Sequence, residues 1–152
     1  MFYPAYITLI KRGEGASSVE VAARNSGQRL FDQQQGTWFD YSNLANISHE
    51  QVLTPEGAPA WTHCRERLWN ETEKTERRAD AQLARQVTLG LPLHIDREDQ
   101  IELARLFAQR AFTPMGMVVD LSCEGLGGHT PLARLLLTTR IIKQNGFGIK
   151  NR

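Results

Sequence analysis

The stretch GHTPLARLLLTTR, Gly128 to Arg140, constrains the fold more than any other. It reads as a loop running into a β-strand over Ala133–Ile142. Leu132, Leu135, Leu136 and Leu137 require a core. Arg134 shares a face with Leu132 and Leu136, because side chains two apart in a strand point the same way. Such a strand belongs in a sheet with one apolar face and one face that carries charge.

Other segments supply the remaining elements. Tyr6–Lys11 predicts a first strand before a Gly turn. Ser17, with Glu20 three residues on, forms a capping box, and Gly27 is a stop signal. The spacing therefore predicts a short helix over Ser18–Ser26 with Val19, Ala22 and Ala23 as its stripe. Arg29–Asp32 and Thr37–Tyr41 flank the polar turn QQQG and predict a hairpin. SHEQVLTP adds an edge strand near Val52. PEGAPAW predicts the start of a long helix with Pro59 in its first turn. Its buried stripe would be Trp61, Cys64, Leu68 and Trp69, and its solvated face would pair Arg67 with Glu71 and Glu73 with Arg77. Leu83–Leu91 is a second strong strand, with Leu83, Val87, Leu89 and Leu91 on one face and Gln86 and Thr88 on the other. Asp96 caps a further helix whose inner side takes Ile101, Leu103, Ala104, Leu106, Phe107, Ala108 and Ala111. Met117–Cys123 is a third core strand, and Asn145–Gly148 a turn.

This order predicts an α+β fold: an antiparallel β-sheet with helices packed on one face, a sandwich in a single domain over residues 1–152. The opposite face, with Gln86, Asp120, Ser122 and Arg134, is too polar for a second core layer and is expected to be an exposed working surface.

Composition excludes several classes. The formal net charge of +1 gives no whole-molecule field toward nucleic acid. From Arg134 onward come Arg140, Lys143, Lys150 and Arg152 with no acidic residue, a tail that composition alone reads as a solvated end. No apolar run is long enough to cross a bilayer, and the N-terminus has the wrong order for a secretory signal. Cys64 and Cys123 have no paired spacing, so reduced thiols in a cytoplasmic protein are expected. His49, His63, His94 and His129 lack metal-ligand spacing. GLGG, Gly125–Gly128, reads as a hairpin loop rather than a phosphate loop, and no serine has a nucleophile-elbow context.

Several phrases together resemble plasmid mobilisation relaxases of the MobA/MobL type. The strongest is LWNETEKTERRADAQLARQVTLGLPL, Leu68 to Leu93. SGQRLFD (Ser26–Asp32), DYS (Asp40–Ser42), LTPEGAPAW (Leu53–Trp61), GMVVDL (Gly116–Leu121), LLTTR (Leu136–Arg140) and GFGIKNR (Gly146–Arg152) occur in the family's order. The resemblance implies a relaxase-like, palm-type sandwich. It also implies nicking of one DNA strand by a tyrosine hydroxyl that forms a phosphotyrosyl link, with a divalent metal held by three histidines polarising the phosphate.

The residues of that chemistry are replaced here. Where the family has a phrase like AAAYRSG, this chain has VAARNSG, and Arg24 takes the tyrosine's place. The paired histidines of PHAH become PLAR, so Leu132 and Arg134 stand there. A phrase like GMVADVAIH becomes GMVVDLSCE, so Glu124 stands at the first histidine. Gln86 follows "LAR" where an acidic residue is frequent. These five are read as vestigial active-site positions, with no catalytic residue, no bound metal and no cofactor in this chain. Glu124 and Arg134 are expected to form a salt bridge across adjacent strands, leaving one fixed positive charge where the metal was. If solvent-exposed, such a pair contributes about 1 kcal/mol or less.

The resulting expectation is a catalytically inactive relaxase-like protein of a mobile genetic element, truncated at the C-terminus relative to the family, with Met1 as an authentic start. It would bind single-stranded or hairpin DNA through Arg24, Arg29, Arg134, Arg140 and Lys143 without nicking it. One alternative is a protein-binding inhibitor of a host nuclease or defence complex, such as a CRISPR effector, on the same scaffold. A second is an active metal-dependent nicking relaxase. Tyr3, Tyr6 and Tyr41 could then serve as hydroxyls, and His129 with Glu124 and Asp120 as a weak metal group. The bland readings are strand residues, a packed hairpin residue and an exposed loop residue.

Overall fold

The leucine-rich strand takes the central position. In the computed structural model, which describes residues 5–44 and 46–151, it is β7 (Leu132–Thr138), the middle of a five-stranded antiparallel sheet. The order is β1 (Ala5–Lys11), β5 (Gln82–Gly90), β7, β6 (Val119–Glu124), β4 (Ile47–Leu53). Two hairpins stand apart, β2 (Arg29–Asp32) with β3 (Thr37–Asp40), and β8 (Arg140–Lys143) with β9 (Gly146–Lys150). Three α-helices complete the fold: α1 (Ser18–Ser26), α2 (Arg65–Thr75) and α3 (Arg97–Ala111). The mixed α+β architecture is the one read from the sequence. Tyr3 and Arg152 lie outside the described residues.

Helices cover both faces of the sheet rather than one. Val87, Val119, Leu121, Cys123, Ala133, Leu135 and Leu137 form a core with Ala104 and Ala108 of α3. On the other face Ala84 and Leu136 join Val19, Val21, Ala22 and Ala23 of α1 and Leu68 and Trp69 of α2. The polar residues of that face do not prevent burial, because a long-range partner reaches the most costly of them. Asp120 is only 3% exposed and is held by Arg65 and Trp69 of α2. A buried carboxylate is tolerated when it is paired and hydrogen-bonded.

Local signals explain α1 and fail for α2. The Ser17 side chain accepts from the Glu20 N–H, and Gly27 closes α1 with φ 66°. That left-handed angle favours glycine, and the Gly27 position also approaches Ile47 closely. Pro59, by contrast, precedes only a 3₁₀ turn, Ala60–His63, and α2 begins at Arg65. Cys64 is therefore exposed and extended, and Trp61 is half-buried, packed edge-to-face on Phe147. Leu68 and Trp69 are fully buried as expected.

α2 is a polar hub. Asn70 donates to the Phe31 carbonyl and accepts from the Gln33 N–H, and Glu66 accepts from the Phe31 N–H. These bonds pin β2 as a neighbouring strand would. Glu73, expected on a solvated face with Arg77, is buried and accepts from the Ser18 N–H and hydroxyl. Arg77 lies beyond the end of α2. Arg12 donates to the Glu73, Glu76 and Arg78 carbonyls, which satisfies the C-terminal end of α2. Glu76 is gripped by Arg140 and Lys150.

α3 buries a narrower stripe than its composition suggests. Gln100, Ala104 and Ala108 are buried, while Leu103, Leu106 and Phe107 are exposed. The small residues let the helix lie close to the sheet, and the bulky ones flank that contact. The segment read as one strand over Ala133–Ile142 divides at Thr139, where the chain leaves the sheet to form β8.

Candidate functional site

The β6–β7 hairpin sets the geometry. Its register pairs Ser122 with Arg134 and Glu124 with Leu132, so Glu124 and Arg134 share the face covered by α1 and α2. Their side chains form the expected ion pair. Each is about a quarter exposed, 28% for Arg134 and 26% for Glu124. Water therefore screens the pair and limits its contribution to stability.

One row runs across all five strands at this level: Tyr6, Thr88, Arg134, Ser122 and Glu50. The buried hydroxyls of Thr88 and Ser122, on either side of Arg134, have no hydrogen-bond partner among the described residues. The next row holds Gln86, Leu136 and Asp120. Gln86 accepts from Asn25 at 2.7 Å, which brings the C-terminal end of α1 down onto this face. Arg24, the preceding residue, points outward, is exposed, and has no ion pair among the described residues. An open groove beside the hairpin is lined by Ser48, Arg97, Glu124, Thr130 and Leu132 among others.

Under this surface lies a charged cluster that sequence reasoning placed on an exposed face or missed. Arg65 Nε is 2.9 Å from both Asp120 carboxylate oxygens, Arg65 also meets Glu50 at 2.5 Å, and Trp69 donates to Asp120 at 2.9 Å. Burial pushes the Asp120 carboxyl up against the pull of Arg65 and Trp69. Burial works against the Arg65 charge, but Asp120 and Glu50 outweigh it and hold the guanidinium protonated. The WN pair of the longest motif was the available signal, yet nothing in the sequence links Trp69 to Asp120.

The five positions that the resemblance marks as vestigial gather around one face, except that the Arg24 side chain turns away from the sheet. The four arginines and one lysine read as DNA contacts do not form one surface. Arg29 and Arg24 lie near the β2–β3 hairpin, since Arg24 is close enough for its charge to act on Tyr41. Arg140 lies past the far end of β7 and is bound to Glu76 at 2.5 Å and to the Gly148 carbonyl. Lys143 is exposed at the turn of the β8–β9 hairpin.

Comparison with known proteins places this face in context. The profile of the MobA/MobL family matches residues 16–152. The chain belongs to the MobA/MobL family. It is 32% identical over 154 residues to a probable conjugal transfer protein TraA of Sinorhizobium fredii, covering 95% of this chain and 14% of that protein. Against a TraA of Agrobacterium fabrum the identity is 31%, again over 14% of the relative. A mobilization protein MobL of Acidithiobacillus ferridurans is 28% identical over 113 residues. The chain spans about one seventh of the length of the TraA relatives. A structure solved for the molecular basis of vancomycin resistance transfer in Staphylococcus aureus superposes with a TM-score of 0.93 at 32% identity, covering 100% of this chain and 78% of that one. The fold is relaxase-like.

The residues of this MobA/MobL chain do not fit the metal that the resemblance implies. Leu132 offers no donor atom, and Arg134 is a permanent cation. The Glu124 carboxylate is occupied by Arg134, and that of Glu50 by Arg65. Asp120 is buried against Arg65, so His129, Glu124 and Asp120 do not come together. Among the described residues no three His, Cys, Asp or Glu side chains are grouped to hold an ion. Tyr41 donates its hydroxyl to Glu20 at 2.9 Å, which with partial burial raises its pKa. Neither cysteine is in a disulfide. No helix among the described residues is long and apolar enough to cross a membrane.

Proposed function

We propose that this chain binds single-stranded or hairpin DNA on the Arg134 face without cutting it. The supporting observation is the Glu124–Arg134 pair, a guanidinium where the resemblance implies a metal-holding histidine. It sits on a relaxase-like sheet, and Arg24 of α1 stands where the resemblance implies the nucleophile. A cation on this face attracts a phosphate but cannot act as a Lewis acid of metal strength. Arg24, exposed and unpaired among the described residues, adds a second charge at the end of α1. Arg29 extends the surface, whereas Arg140 is matched within the fold by Glu76. As part of a mobile element in the cytoplasm, such a protein would occupy a transfer origin and regulate mobilisation.

A nicking enzyme is the reading to exclude. Tyr6 is the tyrosine that shares the Arg134 row, two strands away on the exposed edge β1. The test incubates a labelled single-stranded origin oligonucleotide with the protein and Mg²⁺ or Mn²⁺, then runs a denaturing gel. Intact DNA and no protein-linked product are expected. A covalent product abolished by Tyr6→Phe would replace the proposal with a rebuilt active site.

A second reading, binding to a host protein, has its own observation. On β1 Ile7 is 67% exposed and Leu9 is also exposed. β1 pairs with β5 on one side only among the described residues, and an apolar strand at a sheet edge is suited to strand addition by a partner. A stable complex with a host nuclease and no affinity for DNA would favour it.

A further inference from the structure

The β2–β3 hairpin presents two unlike faces. Leu30 and Asp32 turn inward and are buried. Arg29, Phe31, Trp38 and Asp40 project outward, with Arg29 opposite Asp40 and Phe31 opposite Trp38. The Arg29 guanidinium carbon lies 3.8 Å from the Trp38 ring centroid. Phe31 meets the same indole edge-on, with centroids 5.0 Å apart at 61°. Trp38 is nonetheless 49% exposed, whereas Trp69 is fully buried in the core.

A cross-strand aromatic pair already contributes to holding a hairpin. The stacked arginine adds something a hairpin does not need, a flat cation fixed against a flat π-face. Its charge is not cancelled inside the fold. Asp40 is 3.8 Å from Arg29 with both side chains about half exposed, so water screens the pair. The Asp40 carboxylate is instead tied to the Ser42 N–H and hydroxyl, at 2.9 and 2.5 Å.

The hairpin is anchored to the Arg134 face. Gln28, the residue before β2, accepts from Arg65, which binds Asp120 and Glu50 on that face. Gln28 also accepts from the Tyr41 N–H just after β3. The base of the hairpin is thereby tied to the cluster beneath the surface proposed to hold phosphates.

We infer that Trp38 and Arg29 form a stacking platform for an unpaired nucleobase, with the guanidinium also placed to meet the adjoining phosphate. The inference rests on the DNA-binding reading and adds the base to its ligand. Stacking is tolerant of sequence because every base has a π-face, and it requires a single strand, since bases in a duplex are already stacked.

The experiment compares two single-stranded oligonucleotides of equal length and charge, one carrying bases and one built of abasic sites. Each is titrated with the wild type, Trp38→Ala, Trp38→Phe and Arg134→Ala, and read by fluorescence anisotropy. The wild type should prefer the base-bearing strand. Trp38→Ala should lose about 10-fold on that strand and little on the abasic one, and Trp38→Phe should keep most of the affinity. Arg134→Ala should weaken both strands alike. If Trp38→Ala binds the base-bearing strand as the wild type does while Arg134→Ala weakens it, the platform is wrong and the DNA reading stands. Equal losses by Trp38→Ala on both strands also overturn the platform, because the ring then acts only on the hairpin. No binding of either strand by the wild type removes both.

Discussion

Arg134 and Glu124 pair across the β6–β7 hairpin, at two positions where the resemblance to relaxases implies metal-holding histidines. The pair is a quarter exposed, so its two halves should matter unequally for folding and for binding. Glu124→Ala and Arg134→Ala should each change stability by about 1 kcal/mol or less in urea unfolding. On a single-stranded oligonucleotide they should act in opposite directions. Arg134→Ala weakens binding, and Glu124→Ala strengthens it by removing the carboxylate that competes with phosphate. Weakening by both variants would mean that the pair shapes the surface rather than supplying charge.

The Arg65–Asp120 pair should behave differently, because both side chains are buried. Asp120→Ala leaves the guanidinium without its main partner and removes the acceptor of the Trp69 indole. A loss of about 3–5 kcal/mol is expected, measured as a fall in the urea midpoint at constant slope. A loss below 1 kcal/mol would mean that water reaches the cluster.

Much of the fold was legible in the sequence, for local reasons. The bounds of α1 follow from Ser17, Glu20 and Gly27, each of which acts within one turn. The Glu124–Arg134 pair comes from the positions that the family resemblance aligns, and strand pairing puts both on one face. What was not legible depends on partners far apart in the chain. Asp120 looks like a surface residue until Arg65 and Trp69, about fifty positions earlier, reach it. Glu73 looks like one end of a helical ion pair until Ser18 claims it. Pro59 signals a helix start that a single 3₁₀ turn satisfies. The bulk of Leu103 and Phe107 suggests core, but alanines make the close contact with the sheet.

Glu76 should make the protein sensitive to acid. Burial pushes its carboxyl up, but Arg140 and Lys150 outweigh burial and hold it below its ordinary value of 4.5. A carboxylate depressed in the folded state adds stability above its unfolded pKa, and that stability is lost as pH falls through the folded value. Glu76→Gln should therefore cost about 1–3 kcal/mol at pH 7, and the deficit against wild type should shrink as pH falls below 4.5 and through the folded value. A deficit unchanged between pH 7 and pH 3 would mean that the charge of Glu76 is not what holds the β8–β9 hairpin.

The two cysteines should differ sharply in reactivity. Cys64 is exposed, whereas burial pushes the Cys123 thiol up to about 11. Only a thiolate reacts quickly, so a thiol reagent at pH 8 should label one site in the folded protein and the second only in denaturant. Labelling of both at similar rates would place Cys123 within reach of solvent.

The central claim is that this face binds DNA through fixed charge. The most direct measurement is fluorescence anisotropy of a labelled single-stranded hairpin oligonucleotide at low and at moderate salt. The account predicts binding at low salt that weakens as salt rises. It also predicts that Arg24→Ala and Arg134→Ala each lower the slope of log affinity against log salt by roughly 0.7, the value for one phosphate contact on a single strand. No binding at low salt would contradict it and leave the exposed β1 edge as the surface to test against host proteins.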